Sequence, residues 1–216
     1  NTCTVTHIAD RKARHFLRLA RRKHPQSFIV ATGCYAQRSP NELESTGVVD
    51  LVVPQSEKSG LAYKIARSNP SHLSLPTPST SSGQASHFST GRTRSFIKIQ
   101  DGCLDGCAYC IVPQVRGHER SLSPDDIIAR IISRGAQDYK EVVLTGTKIG
   151  SYHQDGLRLG GLVARILRET NIKRLRLSSL QPQEITPELL ALWGDPRLCR
   201  HVHMPLQSGS NEILSS

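Results

Sequence analysis

Short apolar runs alternate with helix-start signals along most of this chain, a rhythm that points to a layered α/β architecture built on a parallel sheet. From residue 95 onward the predicted strands are residues 96–100 (FIKIQ), 141–145 (EVVLT), 173–178 (KRLRLS) and 200–205 (RHVHMP). Ser123-Pro124-Asp125-Asp126 opens a helix whose buried stripe is Ile127, Ile128, Ile131 and Ile132, up to Gly135. Residues 157–168 form a second helix, and Thr186-Pro187-Glu188 opens a third. Four such βα units in about 120 residues read as part of a (β/α) barrel, incomplete at its end, and such barrels take ligands at the C-terminal ends of their strands. Residues 100–110, 145–150, 178–181 and 205–210 would then share one mouth.

Residues 1–67 repeat the pattern on a smaller scale. Ala9, Ala13, Phe16, Leu17 and Ala20 fall on one helical face, while Arg11, Lys12, Arg14, Arg18, Arg21, Arg22 and Lys23 crowd the remainder until Pro25 ends the helix. Residues 27–32 (SFIVAT) read as a buried strand running into Gly33-Cys34, and residues 50–53 as another. Ser39-Pro40 looks like an N-cap followed by proline at the first helical position, and residues 57–67 are a further helix. The expectation is a small α/β domain with a parallel sheet, incomplete at its start. Residues 68–94 differ in kind: Ser, Thr, Pro and Gly dominate, with no acidic residue. That composition cannot bury enough apolar area to offset its ordering entropy, so the stretch reads as a linker between two domains.

Charge narrows the class of partner. The 216 residues carry 28 Lys and Arg against 18 Asp and Glu, a net charge of +10, and residues 1–67 alone hold 11 basic and 5 acidic groups. A localised basic face suits a polyanion, nucleic acid first, with a plain solvated surface as the alternative. No apolar run approaches the roughly 20 residues that cross a bilayer. A charged-then-apolar leader is also missing, so no membrane partner and no secretion are expected. The start at Asn1 and the abrupt end at Ser216 read as a piece of a longer protein.

Six cysteines stand at positions 3, 34, 103, 107, 110 and 199. Three within eight residues make poor disulfide geometry and good metal-site geometry, as expected of thiolates in a reducing, cytoplasmic compartment. The stretch Cys103-Leu104-Asp105-Gly106-Cys107-Ala108-Tyr109-Cys110 can hold three corners of a four-iron, four-sulfur cube, with Gly102 and Gly106 letting the backbone wrap closely. With no fourth thiolate nearby, one iron would stay open to a substrate or cofactor. The alternative is a zinc knuckle completed by His118 or another histidine, in a nucleic-acid-binding module without catalysis.

At these residues the chain resembles the radical S-adenosylmethionine superfamily, whose C-x3-C-x2-C motif would be Cys103, Cys107 and Cys110, with Tyr109 the usual aromatic before the last cysteine. Cys-Ile-Val-Pro at 110–113, Arg116-Gly117, Glu119-Arg120-Ser121, Leu144-Thr145-Gly146, the run His203-Met204-Pro205-Leu206-Gln207-Ser208-Gly209 and the opening Asn1-Thr2-Cys3 together look like the methylthiotransferases. The resemblance implies two 4Fe-4S clusters and S-adenosylmethionine. Cys103, Cys107 and Cys110 would hold the catalytic cluster, which splits the cofactor to a radical that takes hydrogen from an unactivated carbon. Cys3 and Cys34 would hold the sulfur-delivering cluster, its third ligand lying upstream of residue 1. Cys199 matches no ligand position. Tyr109, Gly146, Ser178, Gln207 and Ser208 are candidates for cofactor contacts at the barrel mouth. An electron donor such as flavodoxin or ferredoxin is implied, and no stable protein partner is expected. Thr4-Val5-Thr6 followed by Ala9-Asp10-Arg11-Lys12-Ala13-Arg14 looks most like the branch acting on N6-threonylcarbamoyladenosine at tRNA position 37. Other tRNA adenosines, or a ribosomal protein, are the family's alternative substrates. The seven basic residues of 11–23 would contact tRNA phosphates.

Overall fold

The structure, a computed structural model, describes residues 1–69 and 93–215. All but the first two and last two residues of the expected linker therefore lie outside the described residues. The chain forms two compact units: residues 1–69 with Leu104–Gly117, and residues 93–103 with 118–215. The sequence reading takes residues 104–117 with the second domain, whereas they pack with the first unit.

In the first unit α1 (His7–Lys23) starts where the Thr6 hydroxyl accepts the Ala9 N–H at 3.1 Å, and Arg21, Arg22 and Lys23 complement the dipole of its last turn. β1 (Val30–Gly33) and β2 (Leu51–Pro54) are parallel, with Val30 opposite Leu51 and Gly33 opposite Pro54. Thr2 bridges Gly33 in parallel, so β1 is flanked by the chain's first residues on one edge and β2 on the other. α2 (Cys34–Arg38), α3 (Pro40–Glu44) and α4 (Leu61–Ser68) complete the layer. A 3-10 turn at Gln55–Gly60 occupies the beginning of what the sequence suggested as one helix over 57–67. The core is Ala31, Tyr35, Ala36 and Leu43, with Ala13 and Leu17 of α1 packed on it. Phe16 departs from its expected place and is 63% exposed. At 100° per residue it sits on the shoulder of the alanine stripe, beyond the reach of a two-stranded sheet. α5 (Val112–Arg116) also belongs to this unit and packs against α2.

The second unit is a mixed four-stranded sheet in the order β4-β3-β5-β8. β3 (Arg94–Asp101), β5 (Glu141–Gly146) and β8 (Arg174–Leu177) are parallel, and the short β4 (Arg120–Ser121) is antiparallel to β3. α6 (Pro124–Ala136) connects β3 to β5 and begins at Ser123, whose Oγ accepts the Asp126 N–H at 3.1 Å. It buries Ile127, Ile128 and Ile131 but leaves Ile132 55% exposed. α7 (Leu159–Glu169) buries Leu159, Leu162, Val163, Ile166 and Leu167, the spacing of one helical face. It begins two residues later than the sequence suggested, because a hairpin of β6 (His153–Gln154) and β7 (Leu157–Arg158) turns at Asp155-Gly156, both at positive φ. α8 (Pro187–Ala191) is capped by the Thr186 hydroxyl.

The fourth expected strand, 200–205, is absent as a ladder. Leu198 bridges Leu175 and His203 bridges Ser179, so the register slips by one residue between the two bridges. The intervening Ser178 N–H is committed to the Leu144 carbonyl of β5. Three parallel strands and two bridges therefore make a partial (β/α) barrel. No helix among the described residues is long and apolar enough to cross a membrane.

Candidate metal centre

Two candidate ligands stand at the C-terminal end of the first unit's sheet. The Thr2 N–H and hydroxyl both donate to the Thr32 carbonyl, at 2.5 and 2.8 Å, and the Cys34 N–H donates to the Thr2 carbonyl at 3.0 Å. Cys3 and Cys34 each follow the paired residues Thr2 and Gly33, so they leave adjacent parallel strands at the same level. Cys3 is exposed, and Cys34 is buried at the start of α2. Gly33 permits this pairing: its φ is +108°, and a Cβ there would lie 2.4 Å from the Thr2 carbonyl oxygen.

α2 is in turn held by α1. Arg38 donates to the buried Asp10 carboxylate at 2.8 Å, and Arg14 donates to the Tyr35 hydroxyl at 2.5 Å and to Glu42 at 2.7 Å. Both guanidinium groups lie over the Tyr35 ring, 5.8 and 5.6 Å from its centroid. Burial, then the neighbouring Glu42, pushes the Tyr35 phenol above its ordinary pKa, with Arg14 opposing, and the hydroxyl stays protonated. Arg21 is likewise engaged, donating to the Pro25, Ser27 and Val48 carbonyls and to Asp50. Of the seven basic residues expected to meet RNA, Arg14 and Arg21 thus brace the unit. Arg11, Lys12, Arg18, Arg22 and Lys23 are exposed, with no ion pair among the described residues. Arg11, His15, Arg18 and Arg22 follow one another at helical spacing along a single stripe.

The cysteine loop begins where β3 ends. Cys103 is buried, Cys110 half-buried and Cys107 exposed, and none of the three is in a disulfide. Gly102 turns at φ +80°, and the Cys110 N–H closes a turn on the Cys107 carbonyl at 3.0 Å. Cys103 belongs to the second unit, while Cys107 and Cys110 belong to the first, as do Cys3 and Cys34. α5 follows Cys110 after one residue and packs on α2, whose first residue is Cys34.

The donor set fits an iron–sulfur cube: three thiols from one loop and no imidazole. Tetrahedral zinc would draw its ligands to within about 4 Å of one another. Among the described residues no such close group contains two of these thiols, and none contains His118. The close group among the described residues is Cys103 with Asp105 and Glu119.

The expected cofactor-contact residues sit at or beyond strand ends. Gly146 ends β5 and is constrained by packing, since a Cβ there would lie 2.7 Å from the Gln100 carbonyl oxygen. Ser178 extends the β5–β8 ladder through its N–H. Tyr109 is 82% exposed, Gln207 is exposed, and Ser208 Oγ accepts the Ser210 N–H at 3.1 Å. Not anticipated was a polar group ahead of Cys103, formed by the buried Gln100 and Asp101 with the half-buried Thr147. Its sequence signal is the Gln-Asp pair that interrupts the alternation of FIKI. Ser179 Oγ and His203 Nδ1 pair at 2.7 Å at the same strand ends, also unforeseen.

The radical SAM superfamily model matches residues 97–216, more than half of the chain, and the model of Uncharacterized protein family UPF0004 matches residues 1–54. Over 99% of its length the chain is 37% identical to a threonylcarbamoyladenosine tRNA methylthiotransferase MtaB of Aquifex aeolicus, covering 54% of that protein. It is 35% identical to the protein of that name from Bacillus subtilis, covering 50% of it. A tRNA-2-methylthio-N(6)-dimethylallyladenosine synthase of Syntrophobacter fumaroxidans is 36% identical, again with 50% covered. The chain spans about half the length of the curated relatives it matches.

Proposed function

The chain belongs to the radical S-adenosylmethionine superfamily, and we propose that it is the catalytic part of a cytoplasmic tRNA methylthiotransferase that modifies N6-threonylcarbamoyladenosine at position 37. In this reading a methylthiotransferase domain (1–67) and a barrel (95–216) are joined by the linker 68–94. The observation that carries the reading is the pairing of a C-x3-C-x2-C loop at a strand end with a second thiol pair, Cys3 and Cys34, in the unit that also holds Cys107 and Cys110. When bound by these thiols, an iron–sulfur cluster would supply the one-electron chemistry for cleaving S-adenosylmethionine, chemistry suited to an unactivated carbon–hydrogen bond.

The residues divide the remaining work. Cys103, Cys107 and Cys110 would hold the catalytic cube, leaving one iron corner for the cofactor. Cys3 and Cys34 would provide two ligands of the sulfur-delivering cluster, and the packing of α5 on α2 suits a short path between the two chemistries. Gly146, Ser178, Gln207, Ser208 and Tyr109 remain the candidates for cofactor contact at the strand ends. Arg11, Lys12, Arg18, Arg22 and Lys23 would meet the tRNA backbone, positioning it without reading its sequence. The electron would come from a flavodoxin or ferredoxin.

Anaerobic reconstitution of the full-length protein tests the clusters. Two clusters per chain and cleavage of S-adenosylmethionine on reduction are expected. Stoichiometric zinc with no visible chromophore would refute the enzyme. The relatives acting on threonylcarbamoyl- and dimethylallyladenosine are about equally similar to the chain, so nucleoside analysis of tRNA from a strain lacking the gene decides the substrate. An unchanged methylthio fraction on threonylcarbamoyladenosine would overturn that choice.

A further inference from the structure

The chain immediately ahead of Cys103 is held by buried polar groups where a barrel strand would ordinarily run out into its loop. β3 carries one surplus residue, Ile99, between the pairs Lys98–Thr145 and Gln100–Gly146. This bulge breaks the alternation of the strand, and Ile99, Gln100 and Asp101 are buried in succession. Gln100, 1% exposed, donates through Nε2 to the Gly102 carbonyl at 2.7 Å and to the Asp101 carbonyl at 3.3 Å. Its Oε1 accepts the Lys148 backbone N–H at 2.8 Å. Asp101 accepts from Lys98 Nζ at 2.7 Å and from the Thr147 hydroxyl at 3.0 Å.

These hydrogen bonds run from the residues leading into the first thiol to the loop that follows β5. Buried amides and carboxylates are tolerated only when bonded, and a fully bonded set admits one arrangement of the backbone that carries it. Apolar side chains would serve a strand end that had only to be stable. We infer that Gln100 and Asp101 are positioning residues for Cys103, clamping the start of the cysteine loop to Thr147 and Lys148. The inference rests on the reading of Cys103, Cys107 and Cys110 as cluster ligands.

The test compares Gln100→Leu, Thr147→Val and Thr147→Ser with the wild type in the full-length protein. One readout is the rate at which iodoacetamide alkylates Cys103 in iron-free protein, referenced to Cys199 of the same chain. The other is the electron paramagnetic resonance of the reduced cluster with and without S-adenosylmethionine. Gln100→Leu should speed Cys103 alkylation about tenfold, the effect of removing a buried hydrogen bond, and should shift the cluster's g-values. Thr147→Val should do the same more weakly, and Thr147→Ser, which keeps the hydroxyl, should match the wild type. Unchanged reactivity and spectra in both Gln100→Leu and Thr147→Val would overturn the inference, as would a serine variant that behaves like the valine one. If Gln100→Leu does not fold, the Thr147 pair decides. A wild-type protein that takes up no cluster would sink the ligand reading, while alkylation of the iron-free chain would still report whether the clamp exists.

Discussion

Gly33 has the least freedom of any residue at the candidate centre. With φ at +108° and the Thr2 carbonyl 2.4 Å from where a Cβ would stand, Gly33→Ala must either shift the Asn1–Cys3 segment or break the Thr2 pairing. A loss of about 2–4 kcal/mol is expected from combined backbone strain and overlap, read as a lower urea midpoint. At the loop, Cys107→Ala should abolish cleavage of S-adenosylmethionine, because two thiolates hold a cube poorly, and full activity in that variant would remove Cys107 from the ligand set. Such single positions were unevenly legible in the sequence. The three loop cysteines announce themselves by spacing. The demand on Gly33 comes from a neighbour 31 positions away in the chain, and Arg14 and Arg21 look like ordinary surface cations until Tyr35 and Asp50 are brought beside them.

At the scale of the element, α1 has two jobs on two faces. Its inner face carries Asp10, Arg14 and Arg21 in ion pairs, and its outer face carries Arg11, Arg18 and Arg22 with Lys12 and Lys23 beside them. Replacing Arg11, Arg18 and Arg22 by Glu should weaken tRNA binding most at low salt, lowering the salt slope by about one for each phosphate no longer neutralised. Unfolding midpoints should stay close to the wild type. Arg21→Ala should behave in the opposite way, costing about 1–2 kcal/mol of stability through the carbonyls and the Asp50 carboxylate left behind, with little change in the salt slope. Helix starts were the most readable elements, since Ser123-Pro124 and Thr186-Pro187 carry their caps in the sequence. The composition of segment 200–205 suits a strand, whereas its hydrogen bonds depend on a register slip against β8 that no local pattern encodes.

For the molecule as a whole, stability and chemistry are placed at opposite ends of the second unit's sheet. Glu141 at the start of β5 is bonded to Arg176 at 2.8 Å and paired with Arg94 and Arg174, tying together the first turns of three parallel strands. Burial alone would raise its pKa, but the Arg176 hydrogen bond and the three guanidinium charges outweigh it, and the carboxyl ends below its ordinary value. A depressed folded pKa means that this contribution is full above the unfolded glutamate value, near 4.3, and is lost as pH falls through the lower folded value. The stability gap between wild type and Glu141→Gln should therefore be about 2 kcal/mol at neutral pH and close as pH falls through the lowered folded value. A gap independent of pH in urea titrations would contradict the assignment. The alternation of strands and helices conveyed this architecture, yet the grouping of residues 104–117 with the first unit was hidden, because it depends on α5 meeting α2 across more than 70 residues of chain. The surplus residue in β3 has a last consequence. Up to Ile97 the odd-numbered positions of the strand face inward, and the extra residue changes that parity just before the metal-binding loop. The site is consequently phased by counting as much as by chemistry: the same residues paired without the register shift would turn Gln100 outward with every ligand still present, an injury that no list of side chains would reveal.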